Sequence, residues 1–127
     1  MNRFRTPLNQ VRGLGSAKEG THHWWLQRLT AVALVPLSIW FVASLISMSD
    51  ADYASVVTWL RSPLVTVLML CLIWALFHHA QLGVQVVLED YVHAEWLKIA
   101  SIVVLKFASV VLGLASAIAV LKVSLGA

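Results

Sequence analysis

Apolar residues gather into three long runs along this chain, divided by short polar segments. The runs cover about residues 24–48, 63–88 and 97–125. A hydrocarbon core about 30 Å thick is crossed by roughly twenty helical residues, and each run supplies them. Backbone polar groups in hydrocarbon must be satisfied within the segment itself, so helices are the form these runs take. The pattern predicts an all-α integral membrane protein with three transmembrane helices. A polar, basic arm over 1–23 precedes a three-helix membrane domain over 24–127.

Features within the runs sharpen the picture. Trp24 and Trp25 open the first span, where amphipathic rings suit the headgroup layer. Pro36 lies mid-span, where neighbouring helices can re-satisfy the carbonyl it frees. The 49–62 link holds Asp50, Asp52 and Arg61, with a short interfacial helix expected over 54–60. The second connection, 89–96, carries Asp90, Tyr91, His93 and Glu95. Arg3, Arg5, Arg12 and Lys18 lie in the arm, whereas the first link has only Arg61 and the second is bordered only by Lys98. This bias places the arm and N-terminus in the cytoplasm, the 49–62 link and the C-terminus on the periplasmic side, and 89–96 back in the cytoplasm. The first apolar run begins too late and is too long for a cleaved signal, so it is expected to stay in the protein.

The 127 residues are 60% hydrophobic and 12% charged, whereas soluble domains are about a quarter charged. Nine basic residues against six acidic ones leave a net charge of +3. With four of the nine in the arm and no aromatic–basic interleaving, a nucleic-acid partner is excluded. The single Cys71, inside an apolar run, offers neither a disulfide framework nor a cysteine metal site. There is no flavin motif and no nucleophile constellation, so the isolated chain is not expected to catalyse a reaction.

Polar residues inside a membrane are expensive, which makes each a functional candidate. His79, Gly83, Val86 and Asp90 are spaced four, three and four apart and share one helical face. His79 stands about 16 Å from Asp90 along the axis. Three roles suit such a histidine: iron ligand of a haem, proton relay, or hydrogen-bonded packing residue. His78 lies about 100° round the helix and cannot face the same centre, so it is the alternative ligand. Gly83 removes a side chain where a flat macrocycle or another helix could approach. Arg28, with His22 and His23 at the same end of its span, either snorkels to the surface or pairs with a buried anion such as a propionate or lipid phosphate. Tyr91 is either an interfacial anchor or a donor to a quinone carbonyl, with Asp90 beside it able to orient a partner arginine. Lys106, about 13 Å into the third span, is too deep for easy snorkelling. Ser109, Gly113 and Ala117 form a small-residue stripe that favours close helix packing.

His79-Ala80, with Gly83 and then Asp90-Tyr91-Val92 at fixed distance, resembles the hydrophobic membrane anchor of succinate dehydrogenase, respiratory complex II. The stretch HHWWLQRLTAVALVPL over 22–37 is similar to the first helix of the alphaproteobacterial form. The resemblance spans about 15–125 and is only hydropathic in the third helix. It implies that His79, with His78 as the alternative, is one axial ligand of a b-type haem (haem b), the other coming from a second anchor, the cytochrome b-type partner. It implies that Arg28 and His22 lie near the haem propionates. Tyr91 then donates to a ubiquinone carbonyl, and Asp90 organises that site with an arginine of the cytochrome b-type anchor. An iron–sulfur subunit, a flavoprotein subunit and membrane lipid complete the implied partners, in a bacterial inner membrane. The family often has aromatic residues where this chain has Gln81 and Gln85, and it assigns nothing to Lys106.

The expectation is therefore a membrane anchor of succinate:ubiquinone oxidoreductase that carries one haem ligand and part of the quinone site. Three rivals stay open. One is the anchor of a quinol:fumarate reductase, with the same architecture run in reverse. Another is a haem-free proton-relay protein using His79, Lys106 and Asp90. The third is a structural helper whose buried polar residues serve packing alone.

Overall fold

The computed structural model of the chain describes residues 18–126. Every regular element among them is helical: α1 (Lys18–Ser47), α2 (Tyr53–Leu60), α3 (Pro63–Tyr91) and α4 (Glu95–Leu125). The helices α1, α3 and α4 are long and apolar enough to cross a membrane. Most of the arm expected over 1–23 lies outside the described residues, and 18–23 are helical, so α1 starts more than a turn before its apolar run. It continues unbroken through Pro36.

Local chemistry sets where the helices begin and end. Asp52, in extended conformation, caps α2 by accepting the Ser55 N–H at 2.9 Å. Pro63 sits in the first turn of α3, where its missing N–H has no helical partner to lose. At the other end α3 runs past the apolar segment to Tyr91. Gln81 Nε2 donates to Gln85 Oε1 at 3.0 Å, and Gln85 Nε2 donates to Glu89 Oε1 at 2.8 Å. This ladder of residues four apart supports the added turns. The connection to α4 shrinks to 92–94. Gly126, with φ +75°, closes α4 in the left-handed conformation and returns its N–H to the Lys122 and Val123 carbonyls. Arg61 Nε also donates to the Val123 carbonyl at 3.3 Å, which sets a cation at the negative end of the α4 dipole.

The spans lie in a row. Within the described residues, α3 packs against both α1 and α4, and no Cα of α1 comes within 8 Å of α4. Five buried residues, Val65, Thr66, Leu72, Ala75 and Leu82, belong to α3, and the only other buried residue among those described is Thr30. On α1 the buried Thr30 and the half-buried His23, Gln27, Leu34, Leu37, Phe41 and Ser44 are spaced alternately by four and three, and Gln27 and Thr30 of this stripe meet α3. On the α4 side Phe77 lies against Gly113, where an added Cβ would sit 3.6 Å from the ring. At the far end the Thr66 hydroxyl bonds the Leu60 carbonyl at 3.0 Å and the Ser124 hydroxyl at 2.7 Å, joining the start of α3 to the end of α4. Trp40 of α1 stacks on Trp59 of α2 with centroids 5.9 Å apart, while the backbone of α2 lies near α3 and α4. Both faces of the row stay apolar and open, with Val32, Val35 and Ile39 of α1 and Val104, Phe107 and Val111 of α4 exposed.

Two outcomes follow from these contacts. Thr66→Val removes an interhelical hydroxyl pair and is expected to lower stability by about 1 kcal/mol, read as a lower thermal midpoint that Thr66→Ser restores. Hydrogen bonds from Ser55, through its side chain and its backbone, hold the Asp52 carboxyl below the ordinary carboxylate range. The cap therefore strengthens α2 at neutral pH and is lost as pH falls through that depressed value. Amide protection factors across α2, taken relative to the intrinsic rate at each pH, should fall on acidification in the wild type and be low at every pH in Asp52→Ala.

Candidate functional site

The polar residues of α1 and α3 meet in the seam between them. His23, Gln27 and Thr30 lie four and three residues apart, on one face of α1. Across from them, Leu72, Ala75, His79 and Leu82 of α3 follow the spacing three, four, three. His79 thus takes a seam position, and its Nδ1 lies 3.1 Å from the hydroxyl of Thr30, which is wholly buried. Gln27 approaches Gly83, where a Cβ would meet its Nε2 at 3.6 Å.

The Thr30 hydroxyl determines which ring nitrogen of His79 carries the proton. Its single hydrogen goes to the Leu26 carbonyl at 2.7 Å, shared with that of Gln27 at 3.1 Å. Only oxygen lone pairs are left for His79. The imidazole therefore donates its Nδ1–H to Thr30, and Nε2 keeps its lone pair. Among the described residues Nε2 has no hydrogen-bond partner. A donated Nδ1–H with a free Nε2 is the arrangement that fixes the ring of a metal-ligating histidine.

His78 serves a different face. Its ring stacks flat on Trp74, with centroids 5.4 Å apart and planes 7° off parallel. Its Nε2 is enclosed without a hydrogen-bond partner, as are His23 Nε2 and Gln27 Oε1. His78 also borders a cleft of about 660 Å³ between α3 and α4, together with Trp74, Phe77, Gln81 and Lys106. The Ser109, Gly113 and Ala117 stripe lines the same cleft.

The remaining candidates lie apart from the seam. Arg28 is exposed, with its guanidinium 5.3 Å from the centre of the Trp24 ring. It stands about 160° round α1 from Thr30. His22 is exposed as well. Asp90 and Tyr91 end α3, with Tyr91 77% exposed, so the phenol is open to a partner or ligand from outside the chain. No group of three or more His, Cys, Asp or Glu gathers among the described residues, so a metal held here needs further ligands from elsewhere. The sequence pointed to His23 only as a neighbour of His22 and Arg28 and did not single out Thr30 or Gln27, although the four-and-three spacing of the three is visible in it.

Three apolar spans, with a polar seam between two of them and an acid–phenol pair at a helix end, define a multi-pass membrane protein. The chain belongs to the succinate dehydrogenase/fumarate reductase transmembrane subunit family, whose model matches residues 2–113. A succinate dehydrogenase hydrophobic membrane anchor subunit from Rickettsia bellii is 34% identical over 117 residues, covering 92% of this chain and 94% of the relative. The protein of that name from Paracoccus denitrificans is 34% identical over 92 residues, 70% of this chain and 69% of the relative. A succinate dehydrogenase membrane anchor subunit from Reclinomonas americana is 31% identical over 96 residues, 70% and 77% of the two chains. No solved structure matches the chain.

The seam makes Gly83 a sensitive position. A methyl group there meets Gln27 at ordinary contact distance, so Gly83→Ala is expected to keep assembly intact and to add up to about 1 kcal/mol of helix stability. Gly83→Leu should push α1 away from α3 and lower the thermal midpoint of the purified protein.

Proposed function

We propose that this membrane anchor holds the succinate-oxidising subunits of its complex at the cytoplasmic face of a bacterial inner membrane. In this reading it supplies His79 to a b-type haem and Tyr91 with Asp90 to a ubiquinone site. The N-terminus is cytoplasmic, which brings the 92–94 connection, and Asp90 and Tyr91 beside it, to the side where the soluble subunits dock.

The observation that carries the haem assignment is the buried bond between His79 and Thr30. It holds one neutral tautomer, so His79 Nε2 presents a lone pair from a fixed ring without a proton to lose. His78 suits the role less well, because its Nε2 is enclosed and its ring is committed to Trp74. A single ligand on this chain accords with a second axial histidine from the cytochrome b-type partner anchor. Haem bound there supplies one-electron redox chemistry, at a potential set by its ligands and nearby charges. Arg28 and His22, exposed and off the seam that His79 enters, are assigned to an anion at the membrane surface, a propionate or a lipid phosphate.

The quinone end rests on exposure and chemistry. Tyr91 offers a phenolic donor at the last residue of α3, where negative charge developing on a quinone oxygen would strengthen the hydrogen bond. Asp90, with no partner among the described residues, is placed to orient an arginine from the cytochrome b-type anchor. Iron–sulfur and flavoprotein subunits deliver the electrons in this scheme, and lipid fills the open faces of the row.

Dithionite-reduced minus oxidised spectra of the purified complex test the reading. A b-type signal is expected in wild type and His78→Ala, and lost or shifted in His79→Ala. Thr30→Val should keep the signal and move its midpoint potential, while Thr30→Ser stays near wild type. A wild-type complex without that signal sinks the haem assignment. Tyr91→Phe should lower kcat/KM for ubiquinone by about tenfold or more, with succinate oxidation by an artificial acceptor unchanged.

A further inference from the structure

The inner stripe of α1 carries two polar side chains that the scheme above leaves without a role. His23 and Gln27 precede Thr30 on that stripe by seven and three residues. They bring an imidazole and an amide toward the seam, yet His23 Nε2 and Gln27 Oε1 are both enclosed without a hydrogen-bond partner. An enclosed polar atom forfeits its hydration, so two such atoms one turn apart call for a physical reason.

The two atoms lack the same thing. An amide oxygen only accepts hydrogen bonds, and an imidazole nitrogen with its lone pair also only accepts. Side chains four residues apart on a helix are neighbours, with Cβ atoms about 5–6 Å apart. One proton added to His23 Nε2 makes it a charged donor beside the Gln27 oxygen and satisfies both atoms together. No hydrogen bond of Nε2 is broken in the process.

A charge at His23 is also felt further along the seam. His23 lies within electrostatic reach of His78, the residue before His79. Along α1 it stands about 10 Å from Thr30, whose hydroxyl holds the His79 ring. Unit charges about 10 Å apart, at an effective dielectric constant of about 20, alter each other's binding about tenfold or more. Only α3 packs its backbone against α1, and the titratable groups it brings to this part of the seam are His78, His79 and, on the same face at the helix end, Asp90. On α1 itself His22 and Arg28 are exposed, and Lys18 and Glu19 open the helix. Among these groups His23 is the enclosed imidazole that is neither the proposed iron ligand nor its neighbour in sequence.

We infer that His23 is a redox-linked proton site, taking up a proton on Nε2 upon reduction of the haem that His79 is proposed to hold, with Gln27 Oε1 receiving the new N–H. The inference rests on the haem reading given above. One electron enters from the iron–sulfur subunit of that scheme, one proton enters from water at the start of α1, five residues away, and both leave on reoxidation. His23 and Gln27 are positioning residues, acting through charge on a centre they do not ligate. The coupling is reciprocal, so a protonated His23 favours the added electron and the midpoint potential falls as pH rises.

Redox titrations of the b-type signal in the purified whole complex, from about pH 5 to 9, test this. The wild-type midpoint should fall by about 59 mV or more across that range, the tenfold change converted for a one-electron couple. His23→Gln, uncharged at every pH, should hold the lower potential throughout, while His22→Gln and His78→Gln keep the wild-type dependence. Gln27→Leu removes the acceptor and should move the fall to lower pH. A wild-type midpoint that is the same at every pH overturns the proposal and leaves the haem reading intact, as does a dependence that survives His23→Gln. A complex without a b-type signal overturns both. Should His23→Gln not assemble, wild type labelled with ring-carbon-13 histidine gives a second measurement. Infrared bands of a protonated imidazole should grow on reduction, and their absence overturns the proposal.

Discussion

Three helices in a bilayer can close into a triangle or lie side by side, and here α3 separates its two neighbours completely. A middle helix in such a row is packed on two opposite sides and open on the other two. Its side chains therefore fall into four environments that repeat down the helix every three or four residues. Everything of chemical interest on α3 is sorted by this constraint. His79 enters the α1 seam, Phe77 meets α4, and His78 and Gln81 face the open cleft between α3 and α4. Two adjacent histidines thus acquire unrelated roles through a rotation of about 100°.

The seam has a physical logic of its own. Lipid tails are as apolar as leucine, so apolar side chains alone give helices little reason to associate in a membrane. Close packing of small residues and hydrogen bonds between helices supply the specificity instead. Thr30 with His79 near the middle of the spans, and Thr66 with Ser124 near one end, are such bonds, and both threonines are buried. Threonine suits the position because its hydroxyl first serves a carbonyl of its own turn or cap. What it then offers the neighbouring helix is an acceptor of fixed orientation. At His79 this turns a packing contact into a choice of tautomer, the link between structure and the proposed ligand chemistry.

The open faces matter as much as the seam. Exposed valines, isoleucines and aromatic residues along α1 and α4 form the surface for lipid or for another protein of the complex. The charged and polar groups that break this apolar surface occupy defined places. Arg28 stacks over Trp24 near the start of α1, Arg61 closes the end of α4, and Asp90 and Tyr91 finish α3. Among the described charged residues Lys106 stands deepest in the spans, beside the cleft between α3 and α4.

Number, length and order of the spans were legible from sequence because twenty apolar residues in a row leave the backbone one way to satisfy itself in hydrocarbon. The short helix before Pro63, the acid–phenol pair at the end of α3 and the shared face of His79 and Asp90 were legible for similarly local reasons. The row arrangement was not, nor was the pairing of Thr30 with His79. In a soluble helix the apolar stripe marks the buried face, but in a membrane the lipid-facing side is equally apolar and the stripe disappears. The four-and-three spacing of His23, Gln27 and Thr30 could be read, yet only packing against α3 showed which of the polar residues on α1 turned inward. Sequence by itself determined which groups enter the bilayer. Tertiary structure decided which of them meet, because that depends on the rotation of each helix about its axis, and uniform hydrophobicity leaves that rotation unspecified.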